Sequence, residues 1–131
     1  MPMLEIIHSD EFSREQKKAF AAGAMEIFQE VLSTPPGRLR LFFQPIAPDS
    51  SIEELLPGGD QPASMLVLRL TLLAGRPDDK RAALIGRLSA LAAECFTFPL
   101  AEVRFALIEI EPANWGIGGV TVAERQRVQA K

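Results

Sequence analysis

The chain has 131 residues, of which 47% are hydrophobic and 24% charged, so its composition is that of one globular domain rather than of a disordered or collagen-like chain. A net charge of −3 provides no basic field for nucleic acid, and the single cysteine excludes a disulfide framework and a thiolate metal site. No apolar run reaches the roughly 20 residues of a membrane helix, and the first residues lack the pattern of a signal peptide. We therefore expect a soluble cytoplasmic protein that binds neither membranes nor nucleic acid.

The first part of the chain predicts a strand, a helix and a second strand. Residues 3–7 are β-branched enough for a strand, and Ser13 with Gln16 three positions later forms a capping box that starts a helix. Apolar residues then recur with the period of one helix face, namely Phe20, Ala24, Ile27, Phe28 and Val31. Residues 34–37 contain two prolines that end the helix, and residues 39–44 predict the second strand.

A later segment repeats this order at a constant offset. Residues 65–72 predict an apolar strand, residues 75–79 the start of a helix, and residues 103–110 a fourth long strand. The second helix stripe matches the first position for position, at an offset of 64 (84 − 20), and consists of Leu84, Leu88, Leu91, Ala92 and Cys95. The same offset carries Pro35 onto Pro99 and Arg40 onto Arg104.

This repetition predicts an internal duplication within a single domain over residues 1–131. The pseudo-repeats cover residues 2–48 and 66–119. Between them, the stretch over about 45–64 contains four prolines, which indicates a connection with a turn of helix at residues 51–56.

Each unit predicts two parallel strands that are joined by a right-handed crossover. The expected fold class is therefore α/β (α+β), with tandem duplicated β-α-β units that form a four-stranded sheet and two helices on one face. The opposite sheet face is apolar in this interpretation and needs another cover, which predicts an oligomer.

Four features occur together in the chain: an amino-terminal Pro2, the arginine Arg76 after the third strand, a V-R pair at the start of the fourth strand, and a W-G-x-G-G sequence at residues 115–119. In this combination the chain resembles the tautomerase superfamily, whose founding member, 4-oxalocrotonate tautomerase, is a single short β-α-β chain. The duplicated form is similar to malonate semialdehyde decarboxylase and, more distantly, to cis-3-chloroacrylic acid dehalogenase. The resemblance covers nearly the whole chain and implies a tautomerase-like fold and a homotrimer.

The resemblance also implies that Pro2 acts as the general base once Met1 has been removed. An N-terminal proline is a secondary amine, and a free α-amino group has a pKa near 8. Burial and neighbouring cations lower that pKa, so the neutral amine can exist at neutral pH and accept a proton. Only one of the two units can act in this way, because the position equivalent to Pro2 in the second unit is Leu66.

Arginines and an aromatic residue complete the implied site. Arg76 would bind the substrate carboxylate, and Arg104 would stabilise the developing enolate, with Arg40 of the other unit as the alternative. Trp115 would wall the pocket or contact another subunit. The substrate-binding residues are then expected to be Arg38, Arg40, Trp115 and Ile117. These residues imply a small carboxylate substrate and neither a cofactor nor a metal.

Two departures from the decarboxylase pattern favour proton transfer. Arg38 stands where malonate semialdehyde decarboxylase has an acidic residue, and Ala74 stands where it has a second arginine. The alternatives are a decarboxylase or hydratase that acts on a 3-oxo acid, and a non-catalytic trimer that binds an acidic metabolite.

The remaining polar residues have structural interpretations. His8 is expected at the solvent edge of its strand, Glu109 and Glu111 are expected to be solvated, and Cys95 is expected in the core. The glycines of residues 116–119 suit a tight turn, and no convincing helix follows them, which argues against a phosphate-binding loop.

Overall fold

The secondary structure follows the predicted order. The structure, a computed structural model, describes residues 2–56 and 64–130. The strands of the main sheet are β1 (Met3–His8), β2 (Arg40–Pro45), β3 (Leu66–Leu73) and β4 (Arg104–Ile110). The first three helices are α1 (Arg14–Leu32), α2 (Ile52–Leu55) and α3 (Asp78–Cys95). The short α2 lies within the predicted connection, of which residues 57–63 are outside the described residues.

The first long helix forms where its capping residues and apolar stripe predict it. The Ser13 hydroxyl accepts a hydrogen bond from the Gln16 N–H at 3.1 Å, and the Gln16 side chain accepts one from the Ser13 N–H at 2.8 Å. The five buried residues of α1 are the five of the predicted stripe. In α3, Leu84, Leu88 and Ala92 are buried, and the other two stripe residues pack against the core partly buried.

The sheet has the strand order β2-β1-β3-β4. The pairs β1–β2 and β3–β4 are parallel, whereas β1 and β3 are antiparallel. Met3 pairs with Arg40 and Val67 pairs with Arg104, so the two units have the same register at the offset of 64. The predicted fold class, a four-stranded α+β sheet built from two β-α-β units, is confirmed.

The two faces of the sheet have different surroundings. Alternate residues of β1 and β3 are buried against the two helix stripes and form one apolar core. The other face carries exposed apolar side chains, with Phe42 48% and Ile108 38% exposed. No helix in the described part of the chain is long and apolar enough to span a bilayer.

A polar cluster lies at the middle of this second face. The Glu5 carboxylate accepts hydrogen bonds from Arg69 Nη2 at 2.7 Å and Nε at 3.2 Å, and from Gln44 Nε2 at 2.9 Å. Hydrogen bonding from the Arg69 guanidinium holds the pKa of Glu5 below its ordinary value. Ionised Glu5 therefore contributes stability above the pKa that it has in the unfolded chain, and this contribution is lost as the pH falls through the lower native pKa.

This linkage predicts that Glu5→Gln lowers the free energy of unfolding at neutral pH, and that the difference from the wild type shrinks as the pH falls from neutrality through the native pKa of Glu5. Urea unfolding over that range measures the difference. Glu26→Gln is the matched control, because Glu26 is exposed on α1. A wild-type advantage that stays constant across the range would contradict the assignment.

The C-terminal segment corrects one prediction. A hairpin of β5 (Gly116–Ile117) and β6 (Val120–Thr121) leads into a helix, α4 (Val122–Gln129), where no convincing helix was expected. Thr121 caps α4 by accepting a hydrogen bond from the Glu124 N–H at 3.1 Å. The helix is polar on nearly all sides and buries only Val122, so the apolar periodicity missed it. The Thr121–Glu124 spacing of a capping box was the available signal.

Candidate active site

The strand directions bring three of the predicted site residues to one edge of the sheet. Pro2 immediately precedes β1, and the end of β3 lies beside it because these two strands are antiparallel. The start of β2 lies on its other side because β1 and β2 are parallel, and the Arg40 N–H donates to the Pro2 carbonyl at 3.0 Å. The segment after β3 and the turn before β2 therefore carry Arg76 and Arg38 towards Pro2.

These residues line a small cleft of about 150 Å³. Its lining residues are Pro2, Leu32, Ser33, Thr34, Pro35, Arg38 and Arg76. Pro2 is buried, whereas both arginines are exposed. Among residues 2–56 and 64–130, neither guanidinium has a hydrogen-bond or ion-pair partner and no carboxylate lines the cleft. In a chain of net charge −3, the cleft is thus locally cationic and suited to a small anion.

A tight turn presents Arg38 to the cleft. The Arg38 N–H donates to the Pro35 carbonyl at 3.2 Å, and Gly37 has φ +88°, which glycine adopts without strain. Proline followed by glycine at the centre of such a turn is the type II signature. The helix-ending Pro-Pro-Gly sequence therefore also shapes one wall of the cleft.

Arg40 and Arg104 do not line the cleft. The Arg40 guanidinium donates to the Gly37 carbonyl at 2.6 Å, and the Arg104 guanidinium donates to the Ala101 carbonyl at 3.1 Å. Arg104 pairs with Val67, four positions along β3 from the residue that pairs with Met3, which is about 13 Å along the strand. Arg104 therefore lies towards the opposite end of the sheet from the Pro2 cleft of its own chain.

Trp115 and Ile117 lie beyond the end of β4. That end is beside the end of β3, because the Ala74 N–H donates to the Ile110 carbonyl at 2.8 Å. The Trp115 carbonyl accepts from the Val122 N–H at 2.8 Å, and the Ile117 carbonyl accepts from Arg125 at 3.0 Å. Trp115 thus directly precedes the hairpin and Ile117 lies in its first strand; both are hydrogen-bonded to α4, and neither lines the cleft.

The position that is equivalent to the Pro2 cleft in the second unit is filled by aromatic side chains. At the offset of 64, Phe12 corresponds to Arg76, and Phe96 corresponds to Leu32. The Phe12 ring stacks on Phe96 at 4.0 Å and on His8 at 4.2 Å between centroids. The first unit therefore has an open cationic cleft, whereas the equivalent position of the second unit is occupied by stacked aromatic rings.

His8 corrects a second prediction, because it is 1% exposed rather than at the solvent edge. It faces the core, since it follows Leu4 and Ile6 at the period of two that a strand imposes. Its Nδ1 donates to the Asp10 carbonyl at 2.6 Å, and the stacking on Phe12 covers the ring. The strand period was the signal that could have placed it.

The other polar candidates have structural partners. Burial raises the pKa of the Cys95 thiol, so it is a poor nucleophile, and it packs against the core as predicted. Glu109 accepts a hydrogen bond from Arg81 at 2.9 Å, so it bridges β4 to α3 instead of being simply solvated beside Glu111.

Both units of the chain match known families separately. The family described as "Tautomerase-like" matches residues 2–44, and the family described as "Tautomerase enzyme" matches residues 67–125. A probable tautomerase from Ralstonia nicotianae is 38% identical over 56 residues, which are 43% of this chain and 80% of the relative. A 2-hydroxymuconate tautomerase from Pseudomonas putida is 32% identical over 59 residues, 45% of this chain and 94% of the relative.

Two solved structures resemble the whole chain. A protein named R7 fused 4-OT, an asymmetric trimer, superposes with a TM-score of 0.82 at 25% identity, over 95% of this chain and 99% of that one. A malonate semialdehyde decarboxylase inhibited by 3-bromopropiolate superposes with a TM-score of 0.71 at 21% identity, over 98% of both chains. The second likeness concerns the fold alone.

Proposed function

The chain belongs to the tautomerase superfamily in its duplicated form, and we propose that it is a cofactor-independent tautomerase that transfers a proton within a small 2-oxo or enol carboxylic acid. The observation that carries the proposal is the cleft in which buried Pro2 lies beside Arg38 and Arg76, with no carboxylate among the described residues that line it. This arrangement offers a base and two anion-binding groups to one small molecule.

Pro2 is the proposed general base. Removal of Met1 turns its nitrogen from an amide into a secondary amine. Burial and the two neighbouring guanidiniums disfavour the protonated amine, so they lower its pKa towards neutrality. The neutral amine then takes a proton from the carbon next to the substrate carbonyl, or from the hydroxyl group of the enol. It returns that proton to another carbon of the same molecule.

Arg76 and Arg38 are the proposed binding groups. A guanidinium holds a carboxylate bidentately and keeps its charge throughout the reaction, so either residue can also stabilise the enolate oxygen. Arg104, which was expected to be catalytic, can serve a Pro2 cleft only from another copy of the chain, given its distance within its own sheet. Trp115 and Ile117 stay proposed substrate contacts, although they do not line the cleft of their own chain.

The proposed assembly is a homotrimer in the cytoplasm. The exposed apolar side chains on the helix-free face of the sheet need a cover, and the relative named fused 4-OT is an asymmetric trimer. A lone free cysteine suits a reducing compartment.

A decarboxylase or hydratase of a 3-oxo acid is the second candidate, because the sequence resembles malonate semialdehyde decarboxylase, whose fold the chain shares. Arg38 and Ala74 weigh against it, since they replace the acidic residue and the arginine of that pattern.

Assays of the protein with free Pro2 on 2-hydroxymuconate, phenylenolpyruvate and malonate semialdehyde separate the candidates. We expect ketonisation of at least one enol and no decarboxylation. Turnover of malonate semialdehyde alone would favour the decarboxylase, and binding of all three without turnover would favour a non-catalytic binder.

A further inference from the structure

We infer that Thr34 determines specificity for the oxygen of the enol: its hydroxyl accepts a hydrogen bond from the enol hydroxyl and, once that proton has moved to Pro2, donates one to the enolate oxygen. The inference deepens the proposed function of the Pro2 cleft and rests on it. Thr34 is a residue that the sequence alone does not single out.

The side chains that line the cleft offer many hydrogen-bond donors and few acceptors. The two guanidiniums only donate, because arginine has no acceptor atom. The side chains of Leu32 and Pro35 are apolar. Among the described residues that line the cleft, the side-chain acceptors are therefore the hydroxyls of Ser33 and Thr34, beside the free amine that Pro2 provides as the base.

The oxygen of the substrate changes its hydrogen-bonding character during tautomerisation. In the enol it carries a proton and donates a hydrogen bond, whereas in the enolate and the ketone it only accepts. A guanidinium can bind the second state but has no acceptor for the proton of the first. A hydroxyl suits both states, because it accepts in one orientation and donates in another. A hydroxyl in the cleft can therefore keep one hydrogen bond to this oxygen while the proton moves to Pro2.

The Thr34 hydroxyl is available for this contact. Thr34 is half-buried, and its hydroxyl has no hydrogen-bond partner among residues 2–56 and 64–130. Its backbone N–H donates to the Phe28 carbonyl at 3.2 Å, and the Ser33 N–H donates to the Gln29 carbonyl at 2.9 Å. These backbone bonds satisfy the carbonyls at the end of α1, so the helix end does not need the hydroxyl.

The second unit distinguishes Thr34 from Ser33. At the offset of 64, Thr97 corresponds to Ser33, and both residues have a positive φ, 51° and 56°. A hydroxyl residue at that position therefore accompanies the turn in both units, with or without a cleft. Thr34 corresponds to Phe98, which is buried against the core. The turn thus forms without a hydroxyl at this second position, and the hydroxyl is present in the unit that has the cleft.

Kinetic constants for the best enol substrate test the inference. Thr34→Val replaces the hydroxyl by a methyl group of similar shape, so we expect KM to rise about fivefold, the effect of one lost hydrogen bond. The value of kcat should change less, because the hydroxyl bonds the oxygen both before and during proton transfer. Thr34→Ser keeps the hydroxyl and should recover most of the loss. Thr71→Val makes the same replacement in β3, outside the cleft lining, and should leave KM unchanged.

A binding measurement separates the inference from turnover. Isothermal calorimetry compares malonate with hydroxymalonate, which differ by one hydroxyl on the carbon between the carboxylates. We expect the wild type to bind hydroxymalonate about fivefold more tightly, and Thr34→Val to bind the two equally with an unchanged affinity for malonate. That pattern would support the inference even if the wild type turned over no enol, a result that would count against the proposed function alone.

Three outcomes would overturn the inference. They are a wild type that binds both anions equally, a preference for hydroxymalonate that persists in Thr34→Val, and a wild-type KM in that variant. An equal loss of affinity for both anions would also overturn it, because Thr34 would then shape the cleft rather than bond the hydroxyl. Thermal unfolding should show an unchanged melting temperature, and Thr34→Ala serves in the same measurements if Thr34→Val fails to fold.

Discussion

Replacing Pro2 by alanine, in protein from which Met1 has been removed, should lower kcat/KM for enol ketonisation about 100-fold, within the range that a positioned general base contributes. Alanine keeps an amine but loses the ring that lies in the cleft with Leu32 and Pro35. The nitrogen is then no longer held at a fixed distance from the substrate carbon, and the advantage of orientation is lost. Steady-state kinetics on the two proteins, each checked by intact mass, measures the effect.

The matched control for this substitution is Pro48→Ala, at an exposed proline in the connection. It should leave kcat/KM unchanged, and thermal unfolding should show both variants folded. Equal activity of Pro2→Ala and the wild type would remove Pro2 from the role of base.

Replacing Arg76 by alanine should lower kcat/KM about 100-fold while leaving the melting temperature unchanged. The loss is expected because Arg76 is the proposed group that binds the carboxylate and stabilises the enolate, both by charge-assisted hydrogen bonds. The fold should be unaffected, because the exposed guanidinium has no ion-pair or hydrogen-bond partner in the described parts of the chain. Kinetics and thermal unfolding of the same preparation give the two values.

Lysine at this position should give an intermediate activity, since it keeps the charge but cannot bind a carboxylate bidentately. A fall in the melting temperature together with the loss of activity would mean that Arg76 has a structural role. An Arg76→Ala protein with wild-type kinetics would remove the residue from the site.

The fold could be predicted closely because its signals are local and occur twice. The stripe of α1 consists of the five residues that the helical period selects, and the parallel pairs have one register at the offset of 64. Periodicity and duplication require no knowledge of distant contacts. The exceptions are His8 and α4. His8 was expected to be exposed because its side chain is polar, and the polar surface of α4 shows no apolar periodicity.

The site was harder to predict from the sequence than the fold, because its geometry depends on how the two units pair. The antiparallel pairing of β1 with β3 brings Arg76 to Pro2, and the same pairing carries Arg104 towards the other end of the sheet. No sequence motif indicates whether β1 and β3 pair in parallel or antiparallel. Arg40 is adjacent in the sheet to Pro2, yet its guanidinium bonds the Gly37 carbonyl, a preference that only the three-dimensional turn reveals.

The most direct test of the central claim compares the same protein with Met1 removed and with Met1 retained, the two forms being identified by intact mass. The two forms differ in whether the Pro2 nitrogen is a basic amine or an amide without basicity. We predict that the form with free Pro2 ketonises 2-hydroxymuconate or phenylenolpyruvate and that the form with Met1 retained does not. Equal activity of the two forms would contradict the account, because an amide nitrogen cannot accept the proton.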